Sequence, residues 1–429
     1  MSFKQDTNNI NKIEADNSQI NRTHVDSTQI NSIQTADTQV DFDKIIPRQN
    51  TNCIKYDFAV ERGYPEGIQS FWVADMDFQA PAQVIDELVR RSAHGIFGYT
   101  APKQDYYDTL SSWFQRHHGW QVSGDEVVIT PGVVFALSAA IRAFTRPGDG
   151  VIIQQPVYYP FAQVIRDNDR RLVNNPLLYR DGSYHIDFED FERKAAEENV
   201  KLFILCNPHN PVGRVWHREE LLRLAEICLA HDVLIVSDEI HHEFIRPAFR
   251  HTVLASLSEE IAQHTITCTA PSKTFNLAGL QVSNIFIKST ALRRRFYQAV
   301  NSVGYSQPNA LGMFACQAAY TYGEPWLEQL KSYLEANYQR TKEILQRELP
   351  QVYLVEAEGT YLIWLDFRAY NLTDEQLDDI IINKANLWLD SGHIFGEGGS
   401  GFQRINIACP WATLEKGLKS LAAAFNAIS

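Results

Sequence analysis

The chain is short of the groups that tie a protein to nucleic acid, to an oxidising compartment or to a bilayer. Its 429 residues carry 39 Lys and Arg against 52 Asp and Glu, a net charge of −13. Without a cationic excess it cannot neutralise a phosphate backbone, so nucleic acid is excluded as its main partner. A local cationic pocket remains compatible with that balance. Only six cysteines occur, Cys53, Cys206, Cys228, Cys268, Cys316 and Cys409, and no two are spaced C-x-x-C. Several lie in apolar runs and read as reduced core residues, which points to the cytoplasm. No apolar run approaches ~18 residues, so no membrane span is expected. The N-terminus is polar and lacks the core of a signal peptide. His241 and His242 are adjacent but have no third ligand at metal spacing, so no metal is expected.

What is present is a large globular body. Apolar residues make up 45% of a chain long enough for two domains. The first 40 residues stand apart. A polar unit recurs about every ten positions, from Asp6 to Asn11, Asp16 to Asn21 and Asp26 to Asn31, and fades from Asp37 to Asp41. It is too short and too polar to stack around a dry core, so residues 1–40 are expected to be a disordered, low-complexity tail, with docking or targeting as its functional alternative.

From about Val127 short apolar runs alternate with amphipathic segments. "EVVIT" leads into "GVVFALSAAIRAF", "GVIIQ" into "YYPFAQVIRD", and "VKLFILC" precedes "REELLRLAEICLAHD". "VLIVSD", "TITCT" and "VSNIFI" follow. Continuous β-branched runs separated by helices predict an α/β fold with a largely parallel sheet covered on both faces. The long helix "PWLEQLKSYLEANYQRTKEILQREL", the strand "TYLIWLDF" and a last helix predict a smaller α+β domain. The boundaries expected are residues 86–322 for the large domain and 323–429 for the small one. Residues 41–85 are expected to pack with the small domain or a partner subunit.

In open α/β sheets ligands bind beyond the carboxyl ends of the strands. The residues there are Thr130-Pro-Gly132, Gln155-Pro156-Val-Tyr158, Asn207 to Gly213, Asp238-Glu239-Ile-His241 and Pro271-Ser272-Lys273. Each alone has an ordinary reading: Lys273 a solvated charge, Asp238 a helix cap, Tyr158 a core aromatic. Together they suit one ligand. The Lys273 amine can condense with an aldehyde. Asp238, ending an apolar strand, needs a cationic partner. Gly132, Val133 and Val134 open a helix whose free amides suit an anion. Tyr158 offers a face for stacking, and Asn210 an amide for a ring hydroxyl. Pyridoxal 5′-phosphate uses every one of these groups.

The motifs "NPHNPVG", "SDEIH" and "SKTFNLAG" resemble the fold-type I pyridoxal-phosphate enzymes, the aspartate aminotransferase superfamily. The resemblance covers residues 42–429. "WVADMDF", "FGYT", "NPHNPVGRVW", "SDEIHHEF", "APSKTFNLAGLQ" and "GFQRINIACP" are similar to the MalY/PatB group of carbon–sulfur lyases, of cystathionine β-lyase type. The resemblance implies a seven-stranded, mostly parallel sheet and a homodimer with a shared active site. It implies that Lys273 is the cofactor lysine, Asp238 the partner of the ring nitrogen, Asn210 a donor to the ring oxygen and Tyr158 the stacking aromatic. It places Gly132, Val133 and Ser272 at the phosphate, with Tyr99 reaching the neighbouring subunit's phosphate. It makes Arg404 the grip on the substrate α-carboxylate; alternation along "FQRIN" puts Phe402, Arg404 and Asn406 on one face. Where many transaminases carry arginine on the phosphate and tyrosine near the aspartate, this chain has Gln281 and His241, as the lyase group does. The function implied is α,β-elimination from cystathionine, cysteine or another S-substituted cysteine. An aminotransferase and a partner-binding regulatory protein of the same fold are the alternatives.

Overall fold

Short β-branched runs bounded by Gly, Pro and polar turns suit strands buried on both faces. Seven such strands form the main sheet of the computed structural model, which describes residues 39–428. The repetitive tail expected over residues 1–40 falls, but for its last two positions, outside the described residues.

The strands are β1 (Val127–Thr130), β2 (Gly150–Ile153), β3 (Arg171–Asn174), β4 (Val200–Cys206), β5 (Leu234–Asp238), β6 (Thr265–Thr269) and β7 (Ser283–Phe286). Their order across the sheet is β1-β7-β6-β5-β4-β2-β3. All run parallel except β7, which lies antiparallel to β1 and β6. Alternation decides which core each side chain joins. Val151, Ile153, Leu202, Ile204, Val236 and Ile266 pack on one face with helix α3 (Val133–Phe144). Ile152, Phe203, Leu205 and Ile235 pack on the other with α5 (Arg218–Ala230). The helix predicted from "YYPFAQVIRD" is α4 (Pro160–Asp167), started by a proline whose fixed φ suits a first turn.

A second sheet is wholly antiparallel, in the order β8 (Tyr353–Leu354), β9 (Leu362–Asp366), β11 (Phe402–Asn406) and β10 (Asp390–Ser391). A third apolar core joins it to helices α2 (Gln104–His118), α6 (Ala310–Tyr322), α7 (Glu324–Glu348) and α8 (Trp411–Asn426). The segment before α1 (Ala82–His94) docks here by backbone: Gln69 and Ser70 pair in parallel with Leu387 and Trp388, and Asn406 N–H donates to Phe71 C=O at 2.9 Å. Phe42 packs edge-on against Phe78 and Trp326. All six cysteines are free thiols, five of them buried. No helix among the described residues is long and apolar enough to cross a membrane.

Candidate active site

The parallel strands deliver their carboxyl-terminal residues to one rim. Cys206 of β4 is in register with Asp238 of β5, and Asp238 with Cys268 of β6. The chain leaving each strand is pinned to its neighbour: Asn207 N–H donates to Asp238 C=O, and Glu239 N–H to Cys268 C=O, both at 2.9 Å. Tyr158 N–H donates to Asn210 C=O at 2.9 Å, joining two of the expected site loops.

Beyond β6 the chain makes one short helix, Pro271–Thr274, that carries Ser272 and Lys273. Asn276 then takes a left-handed conformation, φ 58°. Its side chain accepts from Met76 N–H at 2.9 Å and donates to the carbonyls of Met76 and Phe78. The "WVADMDF" segment is thus clamped to the lysine turn, 200 residues away. This brings the Asp75 carboxylate close enough to act on Lys273. Burial is the largest influence on that amine and lowers its pKa to about 8; Arg404 also lowers it, while Asp75 and Asp238 oppose. A lysine so placed holds far more neutral, nucleophilic amine at neutral pH than an exposed one.

Asp238 is 5% exposed. Burial pushes its carboxyl up to about 7, against a hydrogen bond from Ile240 N–H at 3.1 Å and the charge of Lys273. That bond ties off a turn, not the helix cap that Asp before "EIHHEF" suggested. Among the described residues no cation is hydrogen-bonded to the carboxylate, which leaves it open to a cationic group of a ligand. His241 is buried beside it, and its Nδ1 has no partner. Burial, then the charges of Lys273 and Arg404, hold His241 well below the usual histidine range, hence neutral.

Arg404 stands on β11, with Phe402 and Asn406 on the same face as alternation predicts. Its Nη1 donates to Asn210 Oδ1 at 3.0 Å and its Nη2 to Trp72 C=O at 2.8 Å. Nη2 also pairs with Asp390. Its buried Nε–H has no partner among the described residues. Because Asn210 Oδ1 is occupied, the NH₂ end of that amide is left to donate to a ligand. Gly132 precedes α3, whose first amides, Val133 and Val134, make no intrahelical bond, and nothing lies within 4 Å of where a Gly132 side chain would stand. That open helix mouth suits a phosphate. Tyr158 is partly buried in the same rim, its hydroxyl raised by burial.

Two of the residues singled out in the sequence are exposed in the single chain. Tyr99 is 95% exposed, in an extended stretch between α1 and α2. Gln281 is exposed with φ 50°, closing a short helical turn. Sequence reasoning also missed Trp72, Asp75 and Asp390. The first two lie inside a motif quoted for its resemblance; Asp390 is in "LWLDSG", where nothing in the local pattern marks it. The gathered groups fit pyridoxal 5′-phosphate: a lysine whose pKa burial lowers, a buried carboxylate with no cation bonded to it among the described residues, a free amide and an open helix N-terminus.

Residues 71–421 match the family of class I and II aminotransferases. The chain is 46% identical over 387 residues to cystathionine beta-lyase PatB of Bacillus subtilis, covering 90% of this chain and 100% of that one. Protein MalY of Escherichia coli is 31% identical over 390 residues, with 90% and 99% covered. Cystalysin of Treponema denticola, solved with a pyridoxal 5′-phosphate cofactor, superposes with a TM-score of 0.89 at 38% identity, over 91% of this chain and 100% of that one.

Proposed function

The chain belongs to the family of class I and II aminotransferases, and from that premise we propose that it is a pyridoxal-phosphate-dependent carbon–sulfur β-lyase. Its substrates are cystathionine, cysteine or related S-substituted cysteines, and its products are thiol, pyruvate and ammonia. The observation that carries this reading is Lys273 beside Asp238: a lowered amine and a cation-seeking carboxylate on one rim. The 46% identity to a cystathionine beta-lyase over nearly the whole chain supports the lyase assignment.

Bound there, the cofactor supplies an aldehyde for the amine and a cationic ring that draws electron density from the substrate α-carbon. Asp238 would hold its ring nitrogen, Asn210 its ring oxygen and Tyr158 one ring face, with His241 neutral nearby. Gly132, Val133, Val134 and Ser272 would hold its phosphate. We further place Tyr99 of a second subunit at that phosphate. A homodimer accounts for a tyrosine displayed at 95% exposure on an extended arm, and free, mostly buried thiols support a cytoplasmic site.

Arg404 would orient the substrate carboxylate. Its guanidinium is already fixed by Asp390 and Trp72 C=O, so little side-chain freedom is lost on binding. The amino-acid carboxylate displaces Asn210 from Nη1 and finds the unpartnered Nε–H close by. Lys273 Nζ then takes the proton from Cα, for which a pKa of about 8 is well matched at neutral pH. The C–S bond breaks, and the thiolate leaves with a proton from Lys273 or Tyr99. Water releases pyruvate and ammonia from the remaining three-carbon unit.

Purified protein reconstituted with pyridoxal 5′-phosphate and given cystathionine should release pyruvate and free thiol with no amino acceptor. A keto acid formed only when an acceptor is added would instead assign an aminotransferase.

A further inference from the structure

The last residue of α2 and the turn after Asp238 meet in a second cluster that the lyase chemistry does not use. His118 Nε2 lies 3.1 Å from Glu243 Oε1, and His242 Nε2 lies 3.3 Å from the same oxygen. The three donor atoms fall within 4.8 Å of one another. Their side chains are 6%, 1% and 3% exposed. They line a cavity of about 640 Å³ whose wall also includes His117, His251 and Arg246. Glu243 follows His242 in the sequence, and the fold brings His118 to them as the third donor.

The tautomer of His242 makes this arrangement unusual. Its Nδ1 lies 2.6 Å from the carbonyl of Glu239, which can only accept, so Nδ1 carries the hydrogen. Its Nε2 faces a carboxylate oxygen without hydrogen-bond geometry between them. An imidazole nitrogen without a hydrogen bond, buried against a carboxylate oxygen and within reach of a second imidazole, is aimed at a shared cation. The same Glu243 oxygen accepts from Trp113 Nε1 at 2.7 Å, and the other oxygen meets His117 Nδ1 at 3.2 Å, so the carboxylate is held in orientation. An Nδ1–H bonded to a carbonyl and an anchored carboxylate are the outer partners of a metal-ligating set.

Distances support a metal as that cation. Zinc binds imidazole nitrogen and carboxylate oxygen at ~2.0–2.2 Å in a tetrahedron, whose edges are then roughly 3.3 Å. Two of the three donor separations here are 3.1 and 3.3 Å. The cavity gives an ion a way in and a water a place at the fourth position.

We propose that His118, His242 and Glu243 form a zinc-type transition-metal site, separate from the Lys273 centre, that pins the end of α2 to the turn following Asp238. Two imidazoles and one carboxylate favour Zn²⁺ or Co²⁺ over Mg²⁺ or Ca²⁺.

The test is titration of the chelator-treated, pyridoxal-phosphate-loaded protein with Co²⁺, read by its visible d–d absorption, followed by displacement with Zn²⁺. One Co²⁺ per chain with intense tetrahedral bands is expected, and Zn²⁺ should raise the melting temperature. His118→Ala should weaken binding by at least about tenfold, the loss seen even for outer partners of such sites, while leaving β-lyase turnover unchanged. If that variant does not fold, His118→Gln, which can still donate to Glu243, serves the same comparison. Absence of a Co²⁺ spectrum would overturn the proposal, since a proton on His242 would then suffice. So would binding unaffected by either His118 variant, or a sulfur-to-metal charge-transfer band assigning the ion to a cysteine.

Discussion

Arg404 Nη1 donates to Asn210 Oδ1 at 3.0 Å across 194 residues of chain, joining the antiparallel sheet to the loop that leaves β4. The contact ties together one group assigned to the substrate and one assigned to the cofactor. Occupation of either partner by a ligand therefore alters what the other can bond.

Replacing this arginine separates its two roles. Arg404→Lys keeps a charge beside Asp390 but loses the planar fork, so KM for the amino acid should rise roughly tenfold to a hundredfold, the worth of one charge-assisted hydrogen bond. Arg404→Ala should in addition cost about 3–5 kcal/mol of stability, because Asp390 is left buried and unpaired. Adding Asp390→Asn to Arg404→Ala should recover much of that stability and none of the substrate affinity. Urea titration alongside steady-state kinetics checks all three.

Lys273→Ala should fold, fail to retain covalently bound cofactor and lose turnover by at least ~10²–10⁴-fold, the contribution of a positioned general base alone. Borohydride reduction with peptide mapping should locate the cofactor on residue 273 in the parent and nowhere in the variant. A labelled peptide elsewhere would reassign the lysine.

The lowered amine gives a pH dependence. Only neutral Lys273 can attack an aldehyde, and its pKa is about 8. The rate of cofactor incorporation should therefore climb about tenfold per pH unit below 8 and level off above it. An exposed lysine would keep climbing beyond pH 10. Stopped-flow absorbance across pH 6–10 distinguishes the two.

Asp238 behaves in the opposite sense. Its carboxyl is raised from 3.8 to about 7 in the ligand-free fold, so the native state holds a proton that the unfolded chain releases. The stability it contributes is complete below about pH 4 and is lost as pH rises through about 7. Asp238→Asn should therefore stabilise the ligand-free protein at pH 8, by on the order of 1–4 kcal/mol, with the gain vanishing toward pH 4. The same variant loaded with cofactor should lose turnover, because the ring nitrogen is no longer kept protonated. Melting temperatures with and without cofactor at both pH values make the comparison.

Tyr99 is 95% exposed, so Tyr99→Phe should leave the melting of the single chain unchanged. In the dimer it should weaken cofactor retention or slow turnover. Sedimentation analysis with cofactor titration reads both, and an unaltered Kd and kcat would remove Tyr99 from the site.

Much of the site is legible because it is local. Strands β1, β2, β4, β5 and β6 are continuous apolar runs, and parallel packing puts their carboxyl ends on one edge. Gly132, Tyr158, Asn210, Asp238 and Lys273 follow those runs within a few residues, so finding the strands finds the rim. Arg404 was legible from alternation and resemblance, but its clamp was not. Trp72 and Asn210 come to it from segments 332 and 194 residues away, and Asp390 faces it from the neighbouring strand, a pairing that only the register of β10 on β11 sets.

The amino-acid sequence by itself determined the α/β class, the strand-end residues and the chemistry they can carry, because hydrophobic period and chain order are local properties. Only the tertiary structure decided the electrostatics. The depth at which Asp238 and Lys273 are buried, and the charges that reach them from Asp75 and Arg404, depend on long-range packing. The same packing brings His118 from the end of one helix to His242 and Glu243, over a hundred residues on, and so creates a donor set that neither segment contains.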